Sequence, residues 1–186
     1  QEENSAMSWY PVVPVTPAVE PVSLAQAKVQ CRVIGTDEDA ALDLYIASAR
    51  AHAEAYCGAA FAERTLVARC DSFIDMARLP FAPVNSVTSI TYHETGGVQQ
   101  TLSATLYELR ADGLDAAIVL KPGAAWPVVQ PGSRITLTAS VGTIPPDDVL
   151  HAMLLFIADS FDRREHAKAG DWTSLDSLLC NHRRGV

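Results

Sequence analysis

The spacing of apolar residues changes period twice along this chain, and that change limits the folds open to it. Leu42, Ile46, Ala49, Ala53 and Tyr56 recur at helical spacing. From Arg64 the rule becomes alternation, with Leu66, Ala68 and Cys70 set against Val67 and Arg69. After Pro145-Pro146 the helical spacing returns in Val149, Met153, Phe156, Ile157 and Phe161. A helix stripe repeats every three to four residues and a half-buried strand every two, so the middle of the chain cannot continue either helix. The expected class is α+β: a small helical bundle of three main helices with an inserted antiparallel β-sheet and a C-terminal tail segment.

Local signals place the elements. Ser23 reads as an N-cap for a first helix over 23–34, with Leu24, Ala27, Lys28 and Cys31 on one face. Thr36 reads as the N-cap of a second helix over 36–57, and Asp37, Glu38 and Asp39 place negative charge where the helix dipole favours it. Gly58 is its stop. Proline and acid at 145–148 open a third helix over 146–165. The β insert runs over 64–141, with strands expected at Leu66–Cys70, Val87–Tyr92, Tyr107–Arg110, Ala117–Lys121 and Arg134–Val141. Gly96-Gly97, Asp112-Gly113 and Pro122-Gly123 mark turns. The domain expected is 22–166, preceded by an arm over 1–21 and followed by a docking tail over 167–186. Pro11, Pro14, Pro17 and Pro21 make the arm extended, lying on its own domain or on a neighbour. Residues 1–6 precede Met7, the expected native start.

Charge and thiols narrow the function. The net charge is −8 and much of the apolar content is alanine. An acidic chain is not held on nucleic acid by charge, because phosphate binding needs clustered Lys and Arg. Cys31, Cys57, Cys70 and Cys180 form no C-x-x-C pair, and no export signal is read at the start, so free thiols in a reducing compartment are expected. No apolar run reaches the roughly 18 residues of a membrane span.

Catalytic patterns are sparse. His52-Ala53-Glu54 is half of a zinc-deaminase signature whose P-C-x-x-C half is missing, and His93-Glu94 lacks the second histidine of a zinc protease. His151 stands three residues after Asp148 and is expected to pair with it on one helix. No phosphate-binding glycine loop or nucleophile elbow is present. Cys57 sits at a helix C-terminus, the wrong pole to stabilise a thiolate. No catalytic residue, metal or cofactor is assigned. Trp126 is either an aromatic anchor for a partner or a plug at the sheet edge.

Taken in order, several pieces form a string: Glu20–Lys28 (EPVSLAQAK), Ala55-Tyr56-Cys57-Gly58, Leu79-Pro80, Pro83–Val87 (PVNSV), Leu120–Pro127 (LKPGAAWP), Ile135–Ala139 and Ile144-Pro145-Pro146. The string resembles the head–tail connector (adaptor, head-completion) family of tailed bacteriophages, prophages and gene transfer agents, over about Glu20 to Glu165. The closing Leu178–Arg184 also looks like that family's terminal segment. Asn181-His182 stands where proline plus an aromatic is expected, and Val141 where an aromatic precedes glycine. The resemblance implies a virion neck protein, assembled in the bacterial host cytoplasm, with no catalysis. It implies a ring of about a dozen subunits under the portal, extending the DNA channel, with identical subunits meeting head to tail. The expected partners are the portal protein, further copies of itself and the next neck or tail protein; DNA passes without specific binding. Leu175, Leu178, Leu179, His182, Arg183 and Arg184 are expected to dock on the portal, and Trp126 to anchor a partner. Deleting 174–186 is then expected to leave the fold intact. The alternatives are an adaptor or tail-completion protein of another phage-derived machine, and a small enzyme whose site assembles in space.

Overall fold

A computed structural model describes residues 9–15, 19–163 and 174–184. The fold is α+β, as expected, and the chain divides into two compact units built from non-contiguous stretches. A helical unit comprises 19–62 and 143–186, and a β unit comprises 1–18 and 63–142.

In the helical unit, α1 spans Leu24–Cys31, α2 Asp39–Cys57, α3 Asp147–Arg163 and α4 Ser174–Leu179, with a 3-10 turn over Cys180–His182. Residues 164–173, including the expected end of the third helix at 165, lie outside the described residues. Ser23 caps α1 as expected, and Gln26 returns the bond in a capping box: Ser23 Oγ accepts from Gln26 N–H (3.3 Å), and Gln26 Oε1 accepts from Ser23 N–H (2.9 Å). The helix stops short of residue 34 because Arg32 takes a left-handed backbone (φ 55°) that returns its N–H to Lys28 and Val29. Thr36 is not the cap of α2. Glu38 holds that position, and the helix begins at Asp39, whose carboxylate is paired with Lys28. Lys28 Nζ also donates to Gly35 O at 2.8 Å, so one side chain from α1 ties down the turn that delays α2.

The core of this unit is thin and rich in alanine. Leu42, Ile46, Ala49, Ala53 and Cys57 from α2 are buried with Val149, Ala152, Met153 and Ile157 from α3, and Ala27 from α1. Alanine at 49, 53 and 152 lets backbones approach closely, while larger buried side chains such as Leu42, Ile46, Phe61, Met153, Ile157 and Leu179 provide transfer energy at about 0.8 kcal/mol per buried methylene. At the α2 edge, Glu54 accepts from Arg50 (2.9 Å) and from Phe61 N–H (2.9 Å), and Arg50 also reaches Glu20 (2.9 Å). Burial alone would lower the Arg50 guanidinium, but the two carboxylates outweigh it and hold its pKa above the ordinary value.

In the β unit, β1 is Val13–Pro14, β2 Arg64–Cys70, β3 Val84–His93, β4 Gln99–Thr101, β5 Tyr107–Asp112, β6 Asp115–Leu120 and β7 Ile135–Val141. Five strands form one antiparallel sheet in the order β1-β2-β7-β3-β4. The alternation read in β2 matches its partner: Leu66, Ala68 and Cys70 stand opposite Ala139, Leu137 and Ile135, and all six are buried. The single sheet expected from the sequence is in fact two, because β5 and β6 pair only with each other. The segment after β2 takes up part of β6 instead. A 3-10 turn over Phe73–Ala77, capped by Ser72 and Asp75, leads to Leu79, whose N–H donates to Ala116 O at 2.8 Å. Among the described residues no helix is long and apolar enough to cross a membrane.

Candidate functional site

The helical unit carries most of the residues assigned to partner binding, and it holds them against itself. Leu179 is fully buried, and α4 packs on α3 and on the end of α2. Arg184 N–H donates to Cys57 O at 2.7 Å, and the Cys57 thiol lies 3.7 Å from Leu179 O. Gly58 serves this contact twice. Its φ of 65° ends α2, and a Cβ there would sit 3.3 Å from Arg184 Cβ. His182 Nε2 lies 2.6 Å from Asp148 Oδ2 in the first turn of α3, and Arg183 places its guanidinium 5.3 Å from the Tyr56 ring centre.

This arrangement corrects one expectation and bears on a second. Asp148 is paired with His182, thirty-four positions away, and not with His151, which is exposed on α3. The imidazole of His182 holds the Asp148 carboxyl below its ordinary pKa, and the bond from Val149 N–H (3.0 Å) acts in the same direction. The expectation that 174–186 can be deleted with the fold intact meets a buried Leu179 in the core of this unit, so the deletion should cost stability. Leu175 and Leu178 are half-buried, as are His182 and Arg184, and Arg183 is exposed.

Trp126 belongs to the β unit, where it joins a small aromatic cluster. Its indole stacks on Phe73 with ring centres 4.7 Å apart and planes at 4°, and Tyr92 meets the same Phe73 edge-on at 5.8 Å. The tryptophan is half-buried. Elsewhere in this unit Trp9 donates its indole N–H to Arg78 O (3.0 Å), and Arg134 lies 4.0 Å over the Tyr10 ring. The arm lies on its own β2, one of the two placements expected of it, but prolines at 11 and 14 argue against the short strand it forms.

Among the described residues the thiols and histidines do not converge. Burial pushes the Cys57 thiol up to about 11, against the opposing charge of Arg183, and pushes Cys70 up to about 12. His52 stacks on Phe156 (5.2 Å), and Glu54 is engaged by Arg50 and Phe61, so the H-x-E pair points to separate partners. Among the described residues no group of three or more His, Cys, Asp or Glu could hold a metal ion. A shallow depression of the helical unit, about 330 Å³, is lined by Ala25, Gln26, Val29, Gln30 and Leu154 and contains no titratable side chain.

No curated protein matches the sequence. The fold is similar to solved structures of gene transfer agent particles. A chain from the neck of an empty particle, computed with C6 symmetry, aligns with a TM-score of 0.81 at 23% identity, covering 95% of this chain and 97% of that one. A chain from the virion of a native particle aligns at 0.79 and 23%, covering 94% and 96%. One from the neck of a native particle, computed with C12 symmetry, aligns at 0.76 and 21%, covering 95% and 97%. Residues 21–107, from the approach to α1 through the first residue of β5, match the model of the phage gp6-like head-tail connector protein family, which bears out the resemblance read from the sequence.

Proposed function

We propose that this chain is a structural subunit of the neck of a phage-like particle, forming a ring under the portal that extends the DNA channel and links the head to the tail or next neck protein. The observation that carries the reading is the family match over 21–107 together with a fold shared along nearly the whole chain with proteins of particle necks. Two of those necks were computed with C6 and C12 symmetry, which supports a ring of six or twelve, or a multiple, of identical subunits. A ring needs heterologous contacts between different faces of identical copies. The net charge of −8 suits a conduit, since acidic walls repel phosphate and let DNA slide. In this reading the chain makes and breaks no bonds.

The C-terminal segment is the proposed portal-facing surface. Leu179 anchors it, and the exposed Arg183 with Leu175 and Leu178 offers charge and apolar area to a partner. Trp126 is the proposed anchor on the β unit. Electron microscopy of the protein mixed with portal particles tests the assignment. The expected result is an added ring of density beneath the portal, weakened by Arg183→Glu. Portal particles that remain bare at saturating protein would overturn it.

A further inference from the structure

Residues 9–15 complete the five-stranded sheet at its β2 edge. Tyr10 N–H donates to Arg69 O (2.9 Å) and Val15 N–H to Thr65 O (2.8 Å). Val13 stands opposite Val67 and Pro14 opposite Leu66. Pro11 and Pro14 have no N–H to give. Two side chains add specificity. Trp9 reaches Arg78 O, and Tyr10 donates its hydroxyl to Asp71 (3.1 Å to the nearer oxygen) beneath the Arg134 guanidinium. Val13 and Val15 are 49% and 60% exposed, while Trp9, Tyr10 and Val12 are half-buried, so the arm's apolar contact lies mainly at its start. Removing it would leave a seven-residue strand with an open edge, which is a template for another strand.

The described residues from Val19 onward belong to the helical unit. In sequence, six residues (16–21) separate the strand from Val22, and a stretch of that length can reach at most roughly 20 Å. The strand can therefore meet its own β2 or that of an abutting copy. The same bonds form in both cases, which is the condition for exchange of an element between identical chains.

We propose that Trp9–Val15 is an exchangeable strand that docks on the β2 edge of a second copy of this chain. The edge itself specifies the occupant, because the partners of Trp9 and Tyr10 (Arg78, Asp71 and Arg134) are complementary to this segment. Arm and edge are different patches, so each copy gives a strand to the next and the contact is heterologous. The missing donors of Pro11 and Pro14 make the completed edge a poor template for a further strand, which ends the addition at one arm per sheet. The inference goes beyond the neck assignment and stands or falls on the isolated chain.

Cysteine pairing tests it. Residues facing each other across an antiparallel pair have Cα atoms about 4.5–5.5 Å apart, within disulfide reach. In a chain carrying Cys31→Ser and Cys180→Ser, V13C and V67C single variants, one of them isotope-labelled, are mixed at high concentration and oxidised mildly. The expected product is a disulfide-linked pair with one chain of each kind, in several-fold excess over the pair from V13C mixed with I74C, whose site is exposed and off the edge. Adding Trp9→Ala and Tyr10→Ala to the V13C chain should lower the yield. A yield no greater than that of the I74C control would overturn the proposal. So would exclusively intrachain disulfide in the V13C/V67C double variant at every concentration.

Discussion

Leu179→Ala is the sharpest probe of whether the C-terminal segment is part of the fold. The side chain is fully buried between α4 and the helices it packs on. The substitution removes three buried carbons, a transfer loss of about 2.4 kcal/mol at ~0.8 kcal/mol each. A rigid site would add a cavity term and bring the total to about 3–5 kcal/mol. This site is not rigid on both sides, because α4 is only six residues long. The segment can peel away before a cavity is maintained, which caps the loss near the free energy that docks it. The expected loss is therefore ~2–3 kcal/mol, read as a lower urea midpoint by circular dichroism. Amides of α4 should exchange with solvent much faster in the variant, while those of α2 should still exchange only through global unfolding. Truncation before Ser174 should cost at least as much as the point substitution. A truncated chain as stable as the full one would refute the reasoning, since it would mean Leu179 contributes nothing to the core.

Three further outcomes follow from the same contacts. Glu54→Ala leaves Phe61 N–H and part of the Arg50 guanidinium without their acceptor and should cost about 2–4 kcal/mol in urea titration, with Glu54→Gln costing less because it keeps an oxygen for Phe61. In native protein at pH 8 a disulfide-exchange reagent should label Cys31 and Cys180 well before Cys57, whose thiolate fraction is about one in a thousand with its pKa near 11, and before Cys70. The Asp148 carboxyl is held below its ordinary value in the folded chain, so the unfolded chain takes up the proton first. Its contribution is complete above the ordinary value of 3.8 and is lost as pH falls through the lower folded value, and His182→Ala should flatten that acid limb of a stability–pH curve.

Periodic stretches are legible in the sequence, and contacts between distant stretches are not. Leu42, Ile46, Ala49 and Ala53 form a buried stripe because a helix with one apolar face has one way to bury it, and Leu66, Ala68 and Cys70 do the same for a strand. The start of α2 falls later than Thr36 suggests. Threonine is a good cap by residue type, but the helix register is set by Lys28, one element away. The arm strand is hidden because its prolines speak against pairing, and only the open β2 edge makes a two-residue strand worthwhile. In sequence the tail reads as a free docking peptide, since Leu175, Leu178 and Leu179 make a stripe suited to any groove. That Leu179 fills a groove of its own chain depends on Gly58 and Cys57, which are more than a hundred positions upstream. Chemistry follows the same division: the absence of linear motifs can be read directly, but the pairing of Asp148 with His182 cannot.

The two ends of the β insert leave it side by side. Arg64 faces Val141 across β2 and β7, and just outside them Thr143 N–H bonds Ala60 O at 3.1 Å. Entry and exit therefore form a narrow neck in the chain path, and a bridge of a few residues from Ala62 to Thr143 would close the helical bundle without stretching it. Loops, strands or an entire replacement module can be spliced at that point while the helices keep their register.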